Sequence, residues 1–265
     1  MTDRLRPGQS FEHATVAALY RHRPEYPRDV YETLRRLSPH RNRLLDLGCG
    51  TGKIARNLAG DFDSVTAVDA SAAMLDVARG LPRGASNNIT WRHGLAETVR
   101  LAGAPYDVVV AAASIHWMDH SIVFPRLASA VTDDHVFAVV DGDGAFEPPW
   151  QAPWDDFLGR WIYALTGERY APHRTDTAHA RRISKYRSWV DVRGEIELTG
   201  EFITQSIASF VACQHSRDTF APCKLADRVN AFDRELTELL TPYAKQGQVC
   251  YRVRTRVTWG AIRCP

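Results

Sequence analysis

Leu44-Leu-Asp-Leu-Gly-Cys-Gly-Thr-Gly-Lys53, followed by Val65-Thr-Ala-Val-Asp69, decides how this chain folds. An apolar run ends in an acid and three closely spaced glycines; a helix-compatible segment follows, then a second apolar run ending in an acid. Such a unit sets bare backbone and two carboxylates at the carboxyl ends of neighbouring parallel strands, where open α/β sheets bind nucleoside-containing ligands. Two other glycine motifs are excluded by spacing. A dinucleotide fingerprint requires a third glycine three residues after the second, and that position is Lys53. A phosphate-binding P-loop ending at Gly52-Lys53 requires glycine at Leu47 and Ser or Thr at Ile54.

Working outward, the pattern predicts helix over Thr15 to Leu37, interrupted at Arg23-Pro-Glu-Tyr-Pro27, because proline disfavours helix at the residue before it. Strands are expected at 43–47, 65–68, 89–92, 106–111 and 136–140, with helices at 51–58, from Ser71, and at 122–131 between them. This alternation predicts a doubly wound, Rossmann-like, mostly parallel seven-stranded sheet with one antiparallel strand. After Asp141 the rhythm changes. A helix at 155–165, strand signals near 194–204, a long helix at 225–240 and an alternating segment at 249–259 follow. The expectation is a single domain over 1–265, with an N-terminal helical cap at 1–40 and a helical lid insertion at 142–190.

The composition suits one soluble globular domain: 265 residues, 45% hydrophobic, 24% charged. A formal net charge of +2 without a dense Lys/Arg block argues against a nucleic-acid partner. Five cysteines, an odd number with no Cys-x-x-Cys, suit a reducing compartment and argue against a disulfide or metal framework. The first eleven residues lack an apolar signal core and no run of eighteen apolar residues occurs. A cytoplasmic protein that is a monomer or homodimer, with no membrane partner, is expected.

The Leu45-Asp-Leu-Gly-Cys-Gly-Thr-Gly52 motif, with Asp69 beyond it, resembles the class I S-adenosylmethionine-dependent methyltransferases. The Tyr20-Arg-His-Arg-Pro-Glu-Tyr-Pro27 segment and the His116-Trp117 pair resemble the trans-aconitate-methyltransferase-like branch (methyltransferase type 11). The resemblance covers about residues 14 to 141. It implies S-adenosyl-L-methionine as cofactor, S-adenosyl-L-homocysteine as product, and a site built as follows. Gly48, Cys49, Gly50 and Gly52 lie under the methionine portion, and Asp46 fixes the loop or reaches the ammonium group through water. Asp69 accepts both ribose hydroxyls. Ala70 and Met74 stand on the adenine side, as do Ala96 and Glu97, although Leu95 occupies the family's usual acidic position. Ala112 and its neighbour Ala113 allow close approach to the sulfonium. Arg23 meets the cofactor's carboxylate, with Tyr20 and Tyr26 closing over the methionine tail.

Methyl transfer aligns a nucleophile with the methyl group and, for a hydroxyl or ammonium acceptor, removes a proton. His116, His120 and His215 are the candidate bases, with His116 the best placed. Trp150, Trp154, Trp161 and Tyr163 suit either a packed helix face or an aromatic wall for the acceptor. Arg181, Arg182 and Lys185 suit a solvated helix face or an acidic acceptor. The expected function is methylation of a small molecule, first at a carboxylate or hydroxyl oxygen, second at nitrogen or carbon. The reading from another class is a protein that binds S-adenosylmethionine without transferring methyl.

Overall fold

The computed structural model describes residues 8–170 and 184–263, which cluster into two compact units. The larger unit takes 25–143, 184–200 and 254–263; the other takes 8–24, 144–170 and 201–253.

The strands are β1 (Arg43–Leu47), β2 (Ser64–Asp69), β3 (Ile89–His93), β4 (Tyr106–Ala112), β5 (Val131–Asp141), β6 (Ala145–Phe146), β7 (Val190–Thr199), β8 (Ile203–Ser206) and β9 (Gln248–Ile262). In the larger unit the order is β3-β2-β1-β4-β5-β9-β7, seven strands in all. The first five run parallel, and the second half of β9 is antiparallel to both neighbours. The expected doubly wound sheet with its antiparallel strand is therefore present. Strand order reverses direction between β1 and β4, so the carboxyl ends of these strands and β2 border the crevice where such sheets take ligands.

The near-continuous apolar runs of β1, β2 and β4 follow from coverage on both faces. Leu44, Val65, Val108 and Val110 pack on one side with Val30, Leu34, Ile54 and Leu58. Leu45, Leu47, Val68, Val109 and Ala111 pack on the other with Phe124, Leu127 and Phe137. Alternate residues of one strand thus serve opposite layers. The covering helices are α2 (Arg28–Leu37), α3 (Lys53–Leu58), α4 (Ala72–Gly80) and α5 (His120–Ala128), preceded in the chain by α1 (Ala14–Leu19). Ser71 caps α4 by accepting from Met74 N at 3.2 Å, and Asp119 caps α5 by accepting from Ser121 N at 2.9 Å.

The second unit holds α1, α6 (Gln151–Thr166), α7 (Ile207–His215) and α8 (Val229–Leu240), with β6 and β8 each pairing antiparallel to the first half of β9. Its core is aromatic. Phe232 lies 5.1 Å from both Phe157 and Trp161 in edge contacts, and Phe210 lies edge-on to Trp150 and Tyr251. Trp150 and Trp161 are buried in that cluster, which settles the open choice for these two rings in favour of core; Tyr163 is exposed. The boundaries of this unit differ from the expected cap and lid. Residues 28–37 join the sheet unit because Val30 and Leu34 pack beside Leu44, and 201–253 join the aromatic unit. Arg181 and Arg182 lie outside the described residues. No described helix is long and apolar enough to cross a membrane.

Candidate active site

At the carboxyl end of β1 the chain turns back on β2. Gly48 N and Cys49 N both donate to Val68 O, at 2.8 and 2.9 Å, and Gly52 N donates to Cys49 O at 2.8 Å. Gly48, Gly50 and Gly52 all take positive φ, at 69°, 54° and 75°. This conformation is costly for residues with a Cβ. Space enforces the choice as well. A Cβ on Gly48 would lie 2.4 Å from Ser114 Cβ, and one on Gly52 would lie 2.4 Å from the Trp91 ring. Three glycines therefore leave a strip of bare backbone.

Asp69, at the end of β2, is oriented by that strip. Its Oδ2 accepts from Gly50 N at 2.7 Å and its Oδ1 from Ser71 N at 2.8 Å. Each carboxylate oxygen keeps acceptor capacity for a further hydrogen bond, which suits a pair of vicinal hydroxyls. Burial pushes this carboxyl upward, opposed by the two N–H groups and by His93. Asp46 is more extreme. It is 0% exposed, its Oδ2 accepts from Ala55 N at 3.0 Å, and its Oδ1 has no partner. Burial pushes its carboxyl up to about 7, with Asp69 adding to the rise and the Ala55 N–H and Arg56 opposing it. Asp46 thus fixes the first turn of α3 with one oxygen and holds the other buried without a hydrogen-bond partner.

Beyond β2 and β3, Ala70 is exposed, whereas Met74 is 1% exposed and so lies within the interior. Ala96 is buried and Leu95 stands 56% exposed beside it. Glu97 accepts from Asp119 N at 2.8 Å, which ties the loop after β3 to the loop after β4. On the far side Ala112 ends β4, and Ala113 takes a φ of 49° while donating to Val140 O at 2.8 Å. Ser114 Oγ then donates to Leu47 O at 2.6 Å. After the buried Ile115, His116 and Trp117 are exposed with their rings 4.4 Å apart.

Of the three candidate bases, two are committed elsewhere. Both ring nitrogens of His120 meet main-chain carbonyls, Ile115 O and Lys185 O, at 2.9 Å. His215, in the aromatic unit, meets Phe220 O at 3.0 Å and Asp233 Oδ1 at 2.6 Å. His116 alone of the three is exposed. Tyr20 and Arg23 also belong to the aromatic unit. Arg23 Nε and Nη2 donate to Ser216 Oγ and O at 2.8 and 2.7 Å, and its guanidinium lies 4.1 Å from the centre of the Tyr20 ring. Tyr26 is in the sheet unit, buried, with Lys53 Nζ 5.4 Å from its ring centre. Ser114 and Trp91, which pack on Gly48 and Gly52, and His93, which lies near Asp69, carry no spacing signal in the sequence, since a packing contact made across strands leaves none.

These residues fit S-adenosylmethionine. An orphaned buried carboxylate oxygen suits a cationic ligand, and the acceptor capacity left on both Asp69 oxygens suits vicinal hydroxyls. The comparisons agree. A methyltransferase domain model matches residues 44–133. An uncharacterized methyltransferase of Mycobacterium tuberculosis is 36% identical over 116 residues, 43% of this chain and 45% of that one. A trans-aconitate 2-methyltransferase of Variovorax paradoxus is 34% identical over 159 residues, 54% and 58% respectively. The chain spans about half the length of the curated relatives it matches. Among solved structures, a type II methyltransferase assignment from Anaeromyxobacter dehalogenans aligns with a TM-score of 0.69 at 23% identity, covering 92% of this chain and 99% of the other. A Geobacter sulfurreducens S-adenosylmethionine-dependent methyltransferase in complex with S-adenosyl-L-homocysteine gives 0.52 at 16%, covering 94% and 97%. At these identities the solved structures speak for the fold. Residues 44–133 thus match a methyltransferase domain, set on the fold those solved structures share.

Proposed function

We propose that this chain transfers a methyl group from S-adenosylmethionine to a small-molecule acceptor, at a carboxylate or hydroxyl oxygen. The observation that carries this reading is the oriented Asp69 carboxylate over the glycine strip, with the exposed His116–Trp117 pair on the loop after the adjoining strand β4. The similarity to a trans-aconitate 2-methyltransferase supports oxygen, and a carboxylate in particular, as the attacking atom.

The bound cofactor supplies an electrophilic methyl on a sulfonium, whose displacement requires no further activation. The chain's contribution is alignment and exclusion of water. Asp69 holds the ribose, Gly48, Cys49 and Gly50 accommodate the methionine portion, and Asp46 lends negative charge beneath it. Ala70, Ala96 and Glu97 border the adenine. Ala112 and Ala113 leave room at the reacting centre because neither carries more than a methyl. A carboxylate acceptor arrives ionised and requires no base; a hydroxyl acceptor hands its proton to His116.

Isotope-labelled S-adenosylmethionine offered with a panel of small carboxylic acids and alcohols tests the proposal. Label recovered in a base-labile ester from an acid, or in a base-stable ether from an alcohol, is the expected result, and binding without transfer across the panel would instead favour a non-transferring cofactor-binding protein. Asp69→Asn should weaken S-adenosylhomocysteine binding by about 1–3 kcal/mol, because two charge-assisted hydrogen bonds lose their charge. Calorimetry measures this directly, and an unchanged affinity would remove Asp69 from the site.

A further inference from the structure

We propose that His120 is a positioning residue for the loop that carries His116 and Trp117. Donating from both ring nitrogens, it fastens that loop to the main chain just ahead of β7. This rests on the reading above that the loop faces the acceptor.

The geometry leaves one way to satisfy both contacts. His120 Nε2 lies 2.9 Å from Ile115 O, inside the loop, and Nδ1 lies 2.9 Å from Lys185 O, 65 residues further along. Carbonyl oxygens only accept. A neutral imidazole offers one N–H and one lone pair, so one of these contacts would set lone pair against lone pair. Both become hydrogen bonds when the ring carries both protons. The ring plane is held by Phe124, edge-on at 5.6 Å. Among the described residues, these charged groups stand near it. Asp119 precedes it in the chain, with its carboxyl held below the usual range mainly by Ser121 and in part by His120. Glu97 reaches the same turn through Asp119 N, and Lys185 contributes its carbonyl.

Three pins thus hold residues 114–120. Ser114 ties the first end to β1, Glu97 ties Asp119 to the loop after β3, and His120 ties Ile115 to the segment before β7. The doubly protonated ring therefore fastens the loop on both sides at once.

The test begins with the intact protein. Nitrogen-15 spectra of its histidine rings should show both nitrogens of His120 protonated; a single-proton tautomer there would overturn the proposal. Amide exchange across 113–119 should be about tenfold faster in His120→Ala than in the parent, the scale of one hydrogen bond to a charged group. In His120→Arg, a permanent double donor, it should stay as slow as in the parent. Exchange in His120→Ala matching the parent would also overturn it. Affinity for S-adenosylhomocysteine should stay within about twofold in His120→Ala, while KM for an identified acceptor rises. Loss of both together would mark His120 as merely structural. A parent protein that fails to bind S-adenosylhomocysteine would sink the methyl-transfer reading while leaving the exchange result standing, so the two failures are distinguishable.

Discussion

Gly48→Ala should destabilise the protein by about 2–5 kcal/mol and abolish measurable cofactor binding. Two costs add. A residue with a Cβ at φ 69° pays about 1–2 kcal/mol for the left-handed conformation. The new methyl would lie 2.4 Å from Ser114 Cβ and 2.9 Å from its Oγ. Ser114 has little room to yield, being buried and hydrogen-bonded to Leu47 O at 2.6 Å. Forcing a methyl into such a place costs about 1–3 kcal/mol more. Retreat of the loop would also break the bonds from Gly48 N and Cys49 N to Val68 O, and with them the placement of Gly50 N on Asp69. Denaturant unfolding measures the first effect and calorimetry the second. Gly60→Ala is the control, since nothing lies within 4 Å of its Cβ position; it should stay within about 0.5 kcal/mol of the parent. A loss below about 1 kcal/mol for Gly48→Ala would contradict the account of the strip.

The second large effect belongs to Asp46 and is read as a dependence on pH. Its carboxyl is pushed up to about 7 in the folded chain, chiefly by burial, against about 3.9 in an unfolded one. Below pH 4 the group is protonated in both states. Between about 4 and 7 the unfolded chain gives up the proton and the folded chain keeps it, so stability falls as pH rises across that window, then levels. The full swing is on the order of 4 kcal/mol. Other groups titrate too, so the quantity to measure is the difference between Asp46→Asn and the parent. At pH 8 the variant should gain several kcal/mol relative to its standing at pH 4, because asparagine retains an acceptor for Ala55 N without ever being charged. A difference independent of pH would show that Asp46 stays ionised throughout.

The sheet was legible because its information is local. Buried parallel strands leave apolar runs such as Asp107-Val-Val-Val110, and the acids and glycines at their ends stand out against that background. Asp46, Asp69 and the glycines were found this way. The aromatic unit was not legible as a unit, since it draws on three separated stretches and is held by contacts such as Phe157–Phe232 and Trp161–Phe232. Spacing at i and i+7 left Trp154 and Trp161 open between core and acceptor wall, and only the partner rings decide it for Trp161. β7 begins at Val190, ahead of the expected strand signal near 194, and its register shifts between Val192 and Gly194. Gly194 is required there because a Cβ would lie 2.3 Å from the Trp259 ring. Two histidines looked like bases because sequence shows an imidazole's presence and not its partners. For His120 those partners are main-chain oxygens, which no pattern of side chains reveals.

The central claim is that the glycine strip and the carboxylates of Asp46 and Asp69 hold S-adenosylmethionine. Titration of S-adenosylhomocysteine into the purified protein by calorimetry tests it most directly. The account predicts saturable binding at one site per chain, weakened in Asp69→Asn and absent in Gly48→Ala. No heat of binding at millimolar ligand, with the parent protein folded, would contradict it.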